Sequence, residues 1–163
     1  MKLKLIQEQV LDANISQLTF DNVFSADYLD YVVSSSDGMG TQNNNAMRFI
    51  NASGTEISSG NYNQHQIYGS AGAENYSRQT NATVINDAFW KTHDGVNIQC
   101  IIWNPYDENQ QTMFSSFGTA HNVFIDESAL FVSSERVRGF IMHDFSTSLY
   151  YNQGIISVYG LEY

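Results

Sequence analysis

The chain has 163 residues, a length that fits one domain with its own hydrophobic core. Its formal net charge is −10, and its seven Lys and Arg residues form no basic cluster, which argues against direct binding to nucleic acid or to an anionic membrane surface. Aromatic residues make up 13% and charged residues only 15%, so neutral polar side chains dominate, a composition that favours strands and turns over long helices.

Residues 1–14 are interpreted as a first strand or an attachment arm. Lys2 and Lys4 make the N-terminus basic, but no long apolar stretch follows, so the segment does not predict a signal peptide. Ile6, Val10 and Ala13 have helical spacing, yet the strand-like sequence around them favours β structure. No part of the chain approaches the roughly 20 apolar residues that a membrane-spanning helix needs.

Short apolar runs separated by turn residues continue from residue 15 to the end, a pattern typical of β-sandwiches and β-barrels. The runs predict strands at 15–20, 28–34, 46–50, 62–68, 82–85, 97–103, 112–117, 122–125, 129–133, 138–143 and 154–160. Since 82–85 is only a short candidate, we expect about ten strands. They predict an antiparallel two-sheet sandwich of jelly-roll type, formed by 1–163 as a single domain.

Details within these runs give further expectations. Met47 and Phe49 are predicted on one face of their strand and Arg48 on the other, while Leu29, Tyr31 and Val33 are predicted to share a face.

Other segments are read from their composition. The run 97–103 is the most apolar, so we expect it at the centre of a sheet, ending at Asn104-Pro105. The polar segment 69–79 predicts a long exposed loop, and 35–40 a glycine-containing turn. The segment 127–136 has some helical character, but strand is favoured for most of it.

The chain shows no recognisable catalytic, cofactor or metal motif. The carboxylate pairs Asp107-Glu108 and Asp126-Glu127 are interpreted as solvated loop acids, because sequence neighbours on a strand point to opposite faces. Cys100, the only cysteine, excludes an intrachain disulfide and is predicted to be a buried apolar side chain. The four histidines, which lack metal-ligand spacing, are His65, His93, His121 and His143. Loop acids such as Asp21, Asp27 and Asp94 are candidates for Ca²⁺ binding in a β-sandwich.

Aromatic residues at strand ends and in loops are the best candidates for ligand contact. These residues are Trp90, Tyr106, Tyr150 and Tyr151. Aromatic rings stack on the C–H faces of sugars, and Tyr- and Asn-rich loops also make protein contacts at low entropic cost. The alternative is that these rings wrap the edges of the sandwich core.

Several segments resemble those of small structural proteins of tailed-bacteriophage particles. Phe24–Val33 is similar to an early aromatic-spaced strand in that family, and Arg48–Gly54 with Ser59–Tyr62 resembles its next block, where an Arg-Phe strand leads into a Gly-rich loop and a Tyr strand. Arg138–Ile141 and Gly154–Leu161 resemble its last two strands. The resemblance extends from about residue 15 to the end.

The resemblance implies a jelly-roll sandwich on the virion surface, made in the cytoplasm of a host bacterium. Proteins of this kind serve as capsid decoration or cement subunits, or as modules of head or tail fibres, and they commonly form trimers. The family offers no catalytic residues.

The sequence therefore gives three hypotheses. The first is a non-enzymatic virion structural protein that packs against copies of itself and against capsid or tail subunits, with Lys2, Lys4 and the first strand as the attachment arm. The second is a carbohydrate-binding module at the receptor-binding end of a fibre. The third, an enzyme such as a depolymerase or lyase, is disfavoured because the chain lacks both the length and the repeats of a β-helix.

Overall fold

The regular structure of the chain is entirely β within the residues that the structure describes. This computed structural model describes residues 1–11, 15–36, 45–70, 73–86, 97–120, 123–144 and 154–163. Eleven strands pair antiparallel in two sheets, so the all-β, two-sheet prediction is confirmed. In these ranges there is no helix that could cross a membrane.

The larger sheet has eight strands and the smaller has three. In spatial order the larger sheet consists of β1 (Lys2–Val10), β11 (Ile155–Glu162), β3 (Asp30–Ser36), β7 (Asn97–Trp103), β8 (Met113–Ala120), β9 (Val123–Phe131), β5 (Tyr62–Ser70) and β6 (Ala73–Ala82). The smaller sheet consists of β2 (Gln17–Phe20), β10 (Val137–Asp144) and β4 (Asn45–Asn51).

Most predicted strands are present near their predicted positions. The N-terminal segment forms strand β1 rather than a helix, and β7 has the central position expected for the most apolar run. The two strands predicted at 122–125 and 129–133 are one continuous strand, β9, which ends at Phe131. Residues 127–131 are therefore β as favoured, whereas 132–136 belong to no strand. The predicted strand at 82–85 is reduced to a bridge between Ile85 and Met47 beyond the end of β6. Of the turn predicted at 35–40, Ser35 and Ser36 belong to strand β3 instead, and 37–40 lie outside the described residues.

The prediction of a long loop at 69–79 was wrong. Ala73–Ala82 is strand β6, which forms a hairpin with β5. β6 is an edge strand whose side chains are nearly all exposed, so it carries no alternation of apolar and polar residues. This segment is a strand because its backbone pairs with β5, and the side-chain pattern gives no sign of that pairing.

The hydrophobic core lies between the two sheets. Phe49 of β4 packs on Tyr62 of β5 and Phe131 of β9, with ring centroids 6.0 and 5.6 Å apart. The Tyr62 hydroxyl accepts a hydrogen bond from the Phe49 amide (3.0 Å) and donates one to the Ile57 carbonyl (3.1 Å). These contacts attach the smaller sheet to one face of the larger sheet, which we call the inner face.

Side chains of the larger sheet alternate between this inner face and an opposite, outer face. On β7, Cys100 and Ile102 are buried, whereas Ile101 and Trp103 between and beyond them are only half-buried. Met47 and Phe49 are both buried, and Arg48 points away from them, as predicted. Of the three residues predicted to share a face near β3, only Tyr31 and Val33 are buried. Leu29 precedes the strand and is 55% exposed, so it follows no strand alternation.

Candidate functional site

The outer face of the larger sheet contains a hollow with a volume of about 590 Å³. Its base lies where β8 and β9 place Ser115 and Ser128 opposite each other. Because these side chains are short, the larger residues around them rise above the sheet as a rim. The rim and wall side chains, with the serines, define the outer hollow: Asn63, His65, Arg78, Trp103, Met113, Ser115, Ser128 and Leu130. Phe114 and Ala129 also line it, although their side chains are buried on the inner face.

The register of five strands brings these residues together. Trp103 pairs with Met113, and Met113 pairs with Leu130, which makes one apolar row across β7, β8 and β9. Ser128 pairs with His65, and His65 pairs with Arg78, which makes a parallel polar row ending at β6. The hollow therefore has an apolar side and a cationic side, with serine hydroxyls between them.

His65 is oriented by a neighbour on β6. Its Nδ1 lies 3.1 Å from the Tyr76 hydroxyl, and the two rings meet edge to face with centroids 5.9 Å apart. When the tyrosine donates to Nδ1, the other ring nitrogen, Nε2, carries the proton and is a donor.

The outer hollow differs in charge from the rest of this acidic chain. The described residues that line it include Arg78 and His65 but no acidic residue. Arg48, Arg136 and Arg138 each form an ion pair with a carboxylate. Arg78 forms no ion pair within the described part of the chain, so its guanidinium is available to a ligand.

Apolar side chains continue beyond the hollow on the same face. Phe117 is 62% exposed and Tyr76 is 63% exposed, with Ile67 and Phe124 exposed nearby on β5 and β9. In the strand register Phe117 pairs with Asp126, and Asp126 pairs with Ile67, so this exposed acid interrupts the apolar surface. Large exposed apolar side chains grouped on one face mark a contact or ligand surface more often than they mark ordinary solvent-facing sheet.

A second concave surface, the Tyr106 cleft, has a volume of about 520 Å³ and lies where loops meet at one end of the sandwich. It is lined by Ser25, Ala26, Tyr28, Leu29, Asn104, Tyr106, Asp107 and Arg136. The Arg136 guanidinium lies 5.4 Å from the centre of the Tyr106 ring and 3.2 Å from a carboxylate oxygen of Glu108. Tyr106 also packs against the core, so it both lines the cleft and closes the sandwich edge.

The third exposed surface is strand β1. Its only strand neighbour among the described residues is β11, so one backbone edge is open. Leu3, Leu5 and Val10 are 57%, 49% and 64% exposed. Lys2 and Lys4, predicted to form the attachment arm, are exposed on the same strand. The pairing with β11 contains a bulge between Leu5 and Gln7.

The predicted contact residues are thus only partly placed. Tyr106 lines a cleft, whereas Trp90, Tyr150 and Tyr151 lie outside the described residues. The interpretation of these rings as ligand contacts therefore stays a prediction. Trp103 is the aromatic that the sequence reasoning missed, because the continuous apolar run of β7 hides which of its residues face outward.

The carboxylate pair on β9 corrects a prediction. Asp126 is exposed, but Glu127 is completely buried on the inner face, so the pair is not a set of solvated loop acids. The two residues lie within one strand and point to opposite faces, as strand geometry requires. Asp107 and Glu108 do lie in a loop, with Glu108 exposed.

Other titratable groups, outside the hollow and the cleft, contribute to the folded structure. Cys100 is buried, as predicted, and burial raises the pKa of its thiol. Asp21 receives two hydrogen bonds from Arg138, at 2.7 and 2.6 Å, which hold the pKa of its carboxyl below the usual value and pair its charge with a guanidinium. Asp94 lies outside the described ranges, and within them no cluster of three His, Cys, Asp or Glu side chains has a metal-binding arrangement.

Glu56 joins the smaller sheet to the loop that follows β4. Burial alone would raise the pKa of this carboxyl, but hydrogen bonding to Arg48 at 2.6 Å and the charge of nearby His143 outweigh it, so the pKa lies below its usual value. The His143 Nε2 is 2.9 Å from the same oxygen, Oε1. This arrangement ties β4 and β10 to the loop.

Comparison with known proteins adds no relative to this picture: no protein-family model, no curated protein and no solved structure matches the chain.

Proposed function

We propose that this chain is a non-enzymatic structural subunit on the surface of a bacteriophage particle, either a capsid decoration or cement protein or a module of a head or tail fibre. The observation that carries the proposal is the open, apolar edge of β1. The resemblance of the strand segments to small virion proteins supports the particle as the place where this edge is covered.

We also propose that the two-sheet arrangement is an extended jelly roll. Strands β1 to β4 alternate between the larger and the smaller sheet, β10 and β11 do the same, and the first and last strands are neighbours. Alternation of this kind fits the two Greek keys of a jelly roll. In this interpretation β5, β6, β8 and β9 are additions that widen one sheet.

The edge strand provides the contact chemistry. β1 has nine residues, and no described strand pairs with its far edge, so it offers backbone donors and acceptors to another chain, while its exposed leucines add apolar area. Lys2 and Lys4 bring positive charge to an acidic protein, which reduces repulsion from an acidic neighbour. Pairing of β1 with a second copy or a capsid or tail subunit would cover the edge, and a trimer is the assembly we favour.

The test is the assembly state of a Leu3→Lys/Leu5→Lys variant. We expect the unsubstituted protein to form a trimer in analytical ultracentrifugation and to be labelled by antibody on intact particles. The variant should be monomeric and should not bind particles lacking the native subunit.

Leu29→Lys is the matched control, because Leu29 is as exposed as Leu3 but lies in the Tyr106 cleft. It should leave assembly unchanged. A monomeric unsubstituted protein that is absent from particles would overturn the proposal, as would assembly that survives the double substitution.

A second candidate function is glycan binding in the Tyr106 cleft. The cleft combines an aromatic ring with the amide of Asn104, the carboxylate of Asp107 and the guanidinium of Arg136, which suit sugar C–H faces and hydroxyls. A fibre module would use such a site to recognise its host.

A glycan array probes this second function directly. We expect neutral oligosaccharides to bind the unsubstituted protein and Tyr106→Ala to lose at least tenfold in affinity. Tyr163→Ala, which removes an exposed tyrosine outside both concave surfaces, is the control and should bind normally. An array without signal would remove this candidate and leave the structural proposal standing.

A further inference from the structure

We propose that the outer hollow binds an acidic sugar, a uronic or sialic acid residue of a polysaccharide, with Arg78 as the carboxylate-binding group. The inference goes beyond the contacts proposed for β1 and the Tyr106 cleft, because it assigns a separate site and a charged ligand. It rests on the charge, shape and hydrogen-bonding groups of the hollow.

Charge selects the class of ligand. In a chain with a formal net charge of −10, the described lining of the hollow contains an arginine and a histidine but no carboxylate. A guanidinium without an ion pair in the described chain offers a planar pair of donors that matches a carboxylate. The proton on His65 Nε2, when Tyr76 donates to Nδ1, adds a further donor on the same side.

The rest of the lining fits a pyranose ring. Ser115, Ser128 and Asn63 supply small groups that both donate and accept hydrogen bonds, as sugar hydroxyls require. Trp103 and Met113 form the apolar side, on which the C–H face of a ring can lie. A volume of about 590 Å³ is within the usual range for small-molecule sites and suits one or two sugar residues.

The combination of a positive charge, small hydrogen-bonding groups and an apolar side in the hollow favours a sugar acid over an acidic peptide. An acidic side chain would satisfy Arg78 and a peptide backbone could pair with the serine hydroxyls, but an acidic peptide has no apolar ring face to lie on Trp103 and Met113. A sugar acid supplies a carboxylate, hydroxyls and an apolar ring face in one compact unit. The exposed Tyr76, two residues from Arg78 on β6, would extend the contact to the next residue of a polymer.

Binding should be measured by calorimetry with three pairs of probes. The first is a galacturonate trisaccharide and its methyl ester, which keeps the ring and the hydroxyls but removes the charge. The second is a sialic-acid trisaccharide and its methyl ester. Monomeric galacturonate and tri-glutamate complete the set, to separate polymer, free acid and peptide.

We expect one of the acidic trisaccharides to bind at least tenfold more tightly than its ester and than tri-glutamate, with affinity that falls as salt is raised. Arg78→Gln and Trp103→Ala should each weaken binding at least tenfold, and Arg78→Lys should restore part of it. Arg138→Gln removes an arginine that lines neither concave surface; it is the matched control and should bind normally. Thermal unfolding of each variant establishes that it is folded.

Three results would overturn the inference: no binding of either acidic trisaccharide, equal binding of acid and ester, or equal binding of tri-glutamate, which would indicate an acidic protein partner. Tighter binding of the trisaccharide than of monomeric galacturonate supports a polymer ligand, and equal binding would reduce the site to one for a free sugar acid. The Arg78→Gln variant should keep the trimeric state, so failure here is distinguishable from failure of the β1 proposal.

Discussion

The two faces of the larger sheet are made from the same strands but have opposite environments. On β8, Phe114 points inward and is 1% exposed, while Phe117, three residues later, points outward and is 62% exposed. The smaller sheet covers the inner face, and the outer face keeps a hollow and several large apolar side chains. The same residue type therefore contributes to folding on one face and is free to contribute to recognition on the other.

The largest expected difference in the free energy of unfolding is between substitutions of these two phenylalanines. Phe114→Ala removes a fully buried ring and leaves a cavity, so we expect a loss of about 3–5 kcal/mol in the free energy of unfolding. Phe117→Ala removes an exposed ring, and we expect a change of about 0.5 kcal/mol or less. Urea unfolding of both variants tests the comparison. Equal losses would show that the outer face is covered in the isolated protein.

A smaller difference in the free energy of unfolding is expected between substitutions of two tyrosines. Tyr62→Phe removes the hydroxyl that binds the Phe49 amide and the Ile57 carbonyl in the core, so we expect a loss of about 1–3 kcal/mol. Tyr76→Phe on the outer face removes only an exposed contact with His65 and should leave unfolding unchanged to within about 0.5 kcal/mol. A neutral result for Tyr62→Phe would contradict the role of this hydroxyl in joining the sheets.

The smallest expected effect is on the stability of the protein at low pH. The carboxyl pKa of Asp21 is lowered by Arg138, so the stabilisation it gives is complete above the usual aspartate pKa and is lost as the pH falls through the lowered value. Thermal unfolding from about pH 6 to about pH 2 should therefore show a shallower decline in melting temperature for Asp21→Asn than for the unsubstituted protein. Asp126→Asn, which changes an exposed outer-face acid, is the control and should decline like the unsubstituted protein. An identical decline in all three would remove the Asp21–Arg138 pair as a cause.

The inner face could largely be predicted from the sequence and the outer face could not. Alternation at Met47, Arg48 and Phe49 predicted the core side of β4 correctly, because one face of that strand is buried and the other is not. On β7 both faces carry apolar residues, so periodicity could not identify Trp103 as outward-facing. Burial produces an alternating sequence pattern only in a strand that has one buried face and one exposed face.

The candidate site depended on strand order, which the local sequence does not encode. Arg78 and Trp103 are far apart in the chain, and they line one hollow only because β7, β8, β9, β5 and β6 follow one another in the sheet. The β6 segment itself was interpreted as a loop, so its arginine had no predicted neighbours. Tyr106 was found because it follows a strand that ends at a proline, a signal that is local.

The position of β11 between β1 and β3 constrains how the protein can be made. β1 leaves the ribosome well before β11 and has no strand partner among the described residues until β11 is available, so its pairing has a very high contact order and should form late. The edge proposed to bind other subunits therefore becomes presentable only after β11 has been made. A chain interrupted before β11 would be excluded from assembly by the order of synthesis alone.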